Sequence, residues 1–185
     1  SKIPGANRDH VFDGDTLRDL LTGEGSTEAE AQLSLTARLA VRAGRLTGVT
    51  NSPSKLRQAS KAYMPMGKRI AVIGGGLVGA ELAEFMAERG REVHVFEEGA
   101  VLALEMAHPR RWRVLHDLRE AGVSLYPETR VLEIKDKTIC FEPTSQDKPA
   151  QEIAIDGVVI ATGLIANSET VEILREAGTP VVVIG

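Results

Sequence analysis

Three consecutive glycines, Gly74-Gly75-Gly76, sit between two kinds of sequence and constrain this chain more than any other feature. Before them, Arg69-Ile70-Ala71-Val72-Ile73 is an apolar run of strand length. After them, Leu77 to Arg89 places Val78, Leu82, Phe85 and Met86 on one helical face, and Gly90 ends the pattern. Glu92-Val93-His94-Val95-Phe96 follows as a second strand-like run. Strand, glycine turn, helix and strand within about 30 residues predict a βαβ unit, whose right-handed crossover implies a parallel sheet.

The whole turn reads Gly74-Gly75-Gly76-Leu77-Val78-Gly79, a G-x-G-x-x-G between strand and helix. Gly74 permits the tight exit from the strand. Gly76 lets the backbone approach a pyrophosphate with no Cβ in the way, and Gly79 lets the helix pack closely on the strand. The N–H groups that open the helix, near Leu77 and Val78, then face the phosphates with the helix dipole behind them. Glu97 ends the second strand about 20 residues past the turn, where an acid accepts hydrogen bonds from the adenosine ribose. Glu98 adds a second carboxylate. The pair repels a 2′-phosphate, and no Arg or Lys follows directly to receive one, so NAD(H) is expected rather than NADP(H); Arg89 and Arg91 are the nearest cations in sequence. A turn that only packs helix against strand is the competing reading, and the strand, turn, helix and acid together favour a dinucleotide.

The rest of the chain extends the pattern. His108 to Ala121 reads as a helix closed by Gly122, and Val123 to Tyr126 as a third strand. Arg130–Ile134, Thr138–Glu142 and Gln151–Ile155 follow with no helix between them, as an antiparallel meander. Gly157 to Ala161 is wholly apolar, as a parallel strand buried on both faces should be. Ser168 to Ala177 suggests a short helix and Pro180 to Ile184 a last strand. Residues 1 to about 67 differ: they show no strand-like run, and helices are expected after Asp15, from Ser26 to Leu46, and after Ser52-Pro53. The predicted fold is therefore α/β, a Rossmann-like three-layer domain with a parallel sheet and a three-stranded antiparallel meander, preceded by a helical segment.

Charge and cysteine content narrow the function. The chain carries 22 basic and 26 acidic residues and no long Lys/Arg run, so no nucleic-acid partner is expected. No stretch approaches the roughly 18 apolar residues of a membrane span. Cys140 is the single cysteine, which rules out an internal disulfide framework or a cysteine cage, and it is read as a core residue of an apolar strand. His10, His94, His108 and His116 show no metal-ligand spacing, and no catalytic residue is assigned. The absence of a signal-peptide pattern at SKIPGANRDH makes the cytoplasm the expected compartment.

The stretch KRIAVIGGGLVGAELAEFMAERGREVHVFEEG resembles the NAD(P)H-binding domain of two-dinucleotide flavoproteins of the pyridine nucleotide-disulfide reductase type. With HVFDGDTLRDLLTG, HPRRWRVLHDLREAGV and DGVVIATGLIAN in order around it, the chain looks more closely like the C-terminal part of the NADH:flavin oxidoreductase group. That group contains 2,4-dienoyl-CoA reductase, 2-enoate reductase and trimethylamine dehydrogenase. The resemblance implies an NAD(P)H domain inserted into a FAD domain: residues 1–67 as helical connector and FAD-domain edge, 68–163 as the NAD(H)-binding domain, and 164–185 as a truncated return segment. It also implies that hydride passes between nicotinamide and FAD, and that FMN and an iron–sulfur cluster belong only to the full-length parent. The partners are then the dinucleotide and the missing FAD and flavin-barrel domains of the same chain. On this reading the 185 residues are an excised piece that binds and orients nicotinamide; the alternative is a free-standing dinucleotide-binding sensor without redox turnover.

Several side chains keep two readings. Glu81 matches the Glu that lies beside nicotinamide and flavin in related disulfide reductases, or it joins Glu84 and Glu88 on a solvated helix face. Arg110, Arg111 and Arg113 hold cofactor phosphates or dock other domains, or else form a solvated helix whose Trp112 packs inward. Gly163 and Asn167 line the nicotinamide end of the crevice, or are ordinary turn residues. The expected cofactor-binding set is Gly74, Gly75, Gly76, Leu77, Val78, Gly79, Glu81, Glu97, Glu98 and Gly163.

Overall fold

Alternation along the central strands sets the layers of this protein. A computed structural model describes residues 3–14, 66–144 and 148–163, with Arg175 and Ala177. The helices expected between residues 15 and 65, the helix at 168–177, the strand at 180–184 and Asn167 lie outside the described residues. Within them the chain forms β1 (Val11–Phe12), β2 (Arg69–Ile73), α1 (Leu77–Ala87), β3 (Glu92–Phe96), α2 (His108–Glu120) and β4 (Ser124–Tyr126). Then come β5 (Thr129–Ile134), β6 (Thr138–Pro143), β7 (Gln151–Ala154) and β8 (Gly157–Ile160).

Five strands make one parallel sheet in the order β1-β8-β2-β3-β4, and β5-β6-β7 form a separate antiparallel sheet. Successive strand residues point to opposite faces. Ile70 and Val72 of β2, with Val93 and Val95 of β3, pack against Ala80, Ala83 and Met86 of α1 and Leu118 of α2. Ala71, Ile73, Phe96 and Val158 face the other way, onto Val131, Ile134, Ile139, Phe141 and Ile155 of the meander region. The parallel sheet is thus covered by helices on one face and by the second sheet on the other. These are the three layers the sequence predicts, and the apolar runs of β2 and β8 follow from being buried on both sides.

Three expectations are corrected. The first 67 residues do contain a strand: Val11 and Phe12 pair in parallel with Val158 and Val159 at the edge of the sheet. Two residues are too short to leave a periodic signal. Trp112 does not pack inward; it is 66% exposed and stacks on His116 one helical turn away, with ring centroids 5.5 Å apart. Cys140 is half-buried rather than core, and its Sγ donates to Glu152 at 3.1 Å. Burial, followed by the Glu152 contact, pushes the thiol pKa up, which keeps it protonated and unreactive.

One charged contact ties the start of β2 to the turn between β7 and β8. Asp156 accepts from the Arg69 guanidinium at 2.7 Å and from the backbone N–H groups of Arg69 (2.9 Å) and Lys68 (3.1 Å). The Arg69 hydrogen bond, aided by those N–H groups against the opposing effect of burial, holds the carboxyl well below the usual carboxylate range. A depressed carboxylate pKa stabilises the fold above the unfolded value of about 3.9, and that stabilisation is lost as pH falls through the folded value. Asp156→Asn is therefore expected to cost about 1–2 kcal/mol at neutral pH, a figure reduced for partial exposure. The difference from the natural chain should be flat above about pH 5 and shrink below about pH 4. Urea unfolding at a series of pH values checks it; a difference independent of pH down to acid unfolding would rule the carboxylate out as its source.

Candidate functional site

The order of the parallel strands reverses at β2. The chain runs from β2 to β3 to β4 in one direction, then passes through the meander to place β8 on the other side of β2. Open α/β sheets form a crevice outside the strand carboxyl ends at such a point. Here a cavity of about 900 Å³ opens at that position. Ile73 and Gly74 end β2 along it, Phe96, Glu97 and Glu98 end β3, and Ile160 to Gly163 end β8. Gly76, Leu77, Val78 and Glu105 complete the polar side, while Ile3, Ala6 and Val131 give an apolar one.

The glycine turn fits its surroundings atom by atom. Gly74 has φ +99°, and a Cβ there would stand 2.4 Å from Ala161 O, so both conformation and space call for glycine. A Cβ on Gly79 would lie 1.8 Å from Gly74 O, which is how closely α1 approaches the end of β2. Gly74 N–H donates to Phe96 O at 2.8 Å, so the turn is pinned to β3 as well. Gly76 caps α1 with extended backbone, and its own side supplies no hydrogen-bonding group to the cap. The first turn of the helix, at Gly76, Leu77 and Val78, therefore lies along the cavity, which meets the positive end of the helix dipole.

Glu97 is engaged by the chain itself. Its Oε2 accepts from Gly75 N–H at 2.7 Å and its Oε1 from Gly99 N–H at 2.8 Å. A carboxylate has about four acceptor positions, so both oxygens retain capacity for a hydroxyl donor from the cavity. Glu98 is exposed at the rim of the same cavity. Gly163, with φ +123°, lines it on the β8 side.

Of the ten residues expected at the site, the cavity lining includes Gly74, Gly76, Leu77, Val78, Glu97, Glu98 and Gly163. Gly75 and Gly79 lie in the same turn and shape it from behind. Glu81 is placed elsewhere: its carboxylate pairs with Arg110 at 3.0 Å on the outer side of α1, both groups about half exposed. That pair also accounts for one arginine of the basic cluster. Sequence reasoning missed Glu105, which accepts from Leu77 N–H at 3.1 Å. It carries no motif signal, because it comes from the connection between β3 and α2. The N-terminal contribution of Ile3 and Ala6 was also not foreseen. Pro4 O accepts from Ile134 N–H at 2.9 Å and the Arg8 Nε–H donates to Ile134 O at 2.9 Å, which holds that segment along β5. Among the described residues no cluster of His, Cys, Asp and Glu is placed to hold a metal ion, and no helix is long and apolar enough to cross a membrane.

Comparison with known proteins bears on the family and the fold. Residues 33–182 match the family model described as pyridine nucleotide-disulphide oxidoreductase. A nitric oxide reductase FlRd-NAD(+) reductase of Klebsiella pneumoniae subsp. pneumoniae is 34% identical over 122 residues, which is 65% of this chain and 32% of that protein. A bilirubin reductase of Mediterraneibacter gnavus is 34% identical over 122 residues, 66% of this chain and 18% of that protein. The chain thus spans a third or less of the length of these two relatives. Among solved structures, a 2-naphthoyl-CoA reductase complex aligns with TM-score 0.63 at 19% identity, covering 93% of this chain and 19% of that one. A NAD-dependent persulfide reductase from A. fulgidus aligns with TM-score 0.56 at 21% identity, covering 96% and 26%. At these identities the two structures show a shared fold.

Proposed function

We propose, from the premise that the chain belongs to the pyridine nucleotide-disulphide oxidoreductase family, that residues 68–163 bind NAD(H) in the crevice at the carboxyl ends of β2, β3 and β8 and orient its nicotinamide toward a flavin held by another part of the same enzyme. The observation that carries the reading is the glycine turn. Gly74 to Gly79 brings bare backbone and the first N–H groups of α1 to one wall of the cavity, with the Glu97 carboxylate beside them. In this reading the pyrophosphate lies against Gly76, Leu77 and Val78, and the adenosine ribose hydroxyls donate to Glu97. Glu97 and Glu98 together disfavour a 2′-phosphate by charge, which supports NAD(H) over NADP(H).

When bound, the nicotinamide supplies the hydride chemistry, and the residues of this chain bind and position it. Gly163, at the end of β8, gives the nicotinamide end room to lie close to the sheet. The finer reading, a domain of a 2,4-dienoyl-CoA reductase-like flavoenzyme with FMN and an iron–sulfur cluster elsewhere in the protein, rests on the order of the four sequence segments given above. Glu81, which pairs with Arg110 and is not among the residues that line the cavity, enters this reading at most as an orienting residue near the nicotinamide.

Calorimetric titration of the chain with NADH, NADPH and FAD tests this. NADH is expected to bind at least about tenfold more tightly than NADPH, a difference of about 1.4 kcal/mol from the two carboxylates. Tight FAD binding with no binding of either nicotinamide nucleotide would overturn the assignment.

A further inference from the structure

The connection between β3 and α2 folds back over the glycine turn. Ala103 N–H donates to Gly75 O at 2.6 Å, and Leu102 packs so closely that a Cβ on Gly75 would stand 2.9 Å from its Cδ2. Leu102 and Ala103 are both buried, so this part of the connection is anchored in the helix-side core. Ala103 has φ +49°, in the left-handed region that costs a residue with a Cβ about 1 kcal/mol. The next residue, Leu104, is 67% exposed, while Met106 returns to the same core and donates its N–H to Ala103 O at 3.0 Å, so Glu105 projects from a connection held on both sides.

Glu105 then returns to the turn. One carboxylate oxygen accepts from Leu77 N–H at 3.1 Å, and the other lies 2.8 Å from where a Cβ on Gly76 would stand. Its side chain lines the cavity beside Glu97 and Glu98. The carboxylate therefore rests on the bare face of Gly76 and on the first N–H of α1. Both belong to the wall of Gly76, Leu77 and Val78 against which the proposed function places the pyrophosphate.

Building on that reading, we propose that Glu105 is a built-in competitor for the dinucleotide phosphates. Its carboxylate holds the anion position at the start of α1 until a dinucleotide displaces it. The helix dipole attracts either anion by the same interaction, and one N–H cannot serve both. A carboxylate left beside the pyrophosphate would also repel it, so the Glu105 side chain swings away toward solvent at Leu104 as the nucleotide enters. Leu102 and Ala103 stay in place and keep the turn in shape. The consequence is an affinity set below what the glycine cradle alone would give, and a side chain ready to refill the site as the nucleotide leaves.

The test titrates ADP-ribose and adenosine into the natural chain and into Glu105→Gln, Glu105→Ala and Glu105→Asp. Asp keeps the charge and loses the reach. ADP-ribose is expected to bind about tenfold more tightly to the Ala variant, and several-fold more tightly to the Gln and Asp variants. Adenosine, which carries no phosphate, should show the same affinity for all four proteins. Thermal unfolding of each variant reports whether the fold is kept. Unchanged or weaker ADP-ribose binding in the folded variants would overturn the proposal, and so would an Asp variant indistinguishable from the natural chain or a parallel gain for adenosine. Failure of ADP-ribose to bind any of the four folded proteins would instead remove the dinucleotide reading on which the proposal rests.

Discussion

Replacing Gly79 with alanine is expected to lower the unfolding free energy by about 3 kcal/mol and to abolish NADH binding. The added Cβ would stand 1.8 Å from Gly74 O and 2.9 Å from the carbonyl carbon of the same residue. Both obstacles are backbone, and neither can rotate away as a flexible side chain would. The helix must then lift from β2, which opens the contact of Ala80, Ala83 and Met86 with Ile70 and Val72. The same lift moves the first N–H groups of α1 away from the cavity, so stability and binding fall together. Gly90→Ala separates steric collision from backbone conformation. Gly90 has φ +70° but nothing within 4 Å of a Cβ, so its substitution should cost about 1 kcal/mol and leave NADH binding intact. Urea midpoints at unchanged m-value give both numbers. Equal shifts for the two variants would mean that close packing is not what Gly79 provides.

That contrast also shows which parts of the site are legible in a sequence. The turn was readable because each of its glycines answers to a local demand: φ +99° at Gly74, and helix contact at Gly79. The layers were readable because Ile70 and Val72 alternate with Ala71 and Ile73, and both sets are apolar only if both faces are covered. The meander was readable from its polar turns, although a bulge near Leu132 shifts its register. Position in space was much less legible. Glu105 reaches Leu77 across 28 positions through a connection of irregular backbone, and no periodicity marks it. Glu81 has the right spacing from the turn, yet its side chain finds Arg110 on the neighbouring helix. Trp112 was misread for the opposite reason: hydrophobicity alone assigns an aromatic side chain to the core, whereas its place on α2 leaves it stacked on His116 in solvent.

Glu97→Ala is expected to weaken NADH binding about 30-fold more than NADPH binding, so that the preference between the two collapses. The loss for NADH follows from losing a charged acceptor for the ribose hydroxyls, about 2 kcal/mol. NADPH is spared that loss because the same substitution removes a negative charge beside a 2′-phosphate, which offsets the lost hydrogen bond. Glu97 has a second task that could imitate a binding defect. Its two oxygens hold the N–H groups of Gly75 and Gly99, at 2.7 and 2.8 Å, and without them the turn and the start of the β3–α2 connection lose a shared anchor. Loss of that anchor disorders the phosphate cradle, which both nucleotides use in the same way, so it weakens NADH and NADPH equally. The ratio of the two dissociation constants therefore separates recognition from support, where either constant alone would not. Glu97→Gln refines the comparison, since one amide oxygen can still accept from Gly75 or Gly99. It should recover much of the stability lost in the Ala variant, yet show the same collapse in the ratio because the charge is gone. A ratio unchanged in both variants, with both nucleotides weakened, would confine Glu97 to holding the turn and remove it from nucleotide selection.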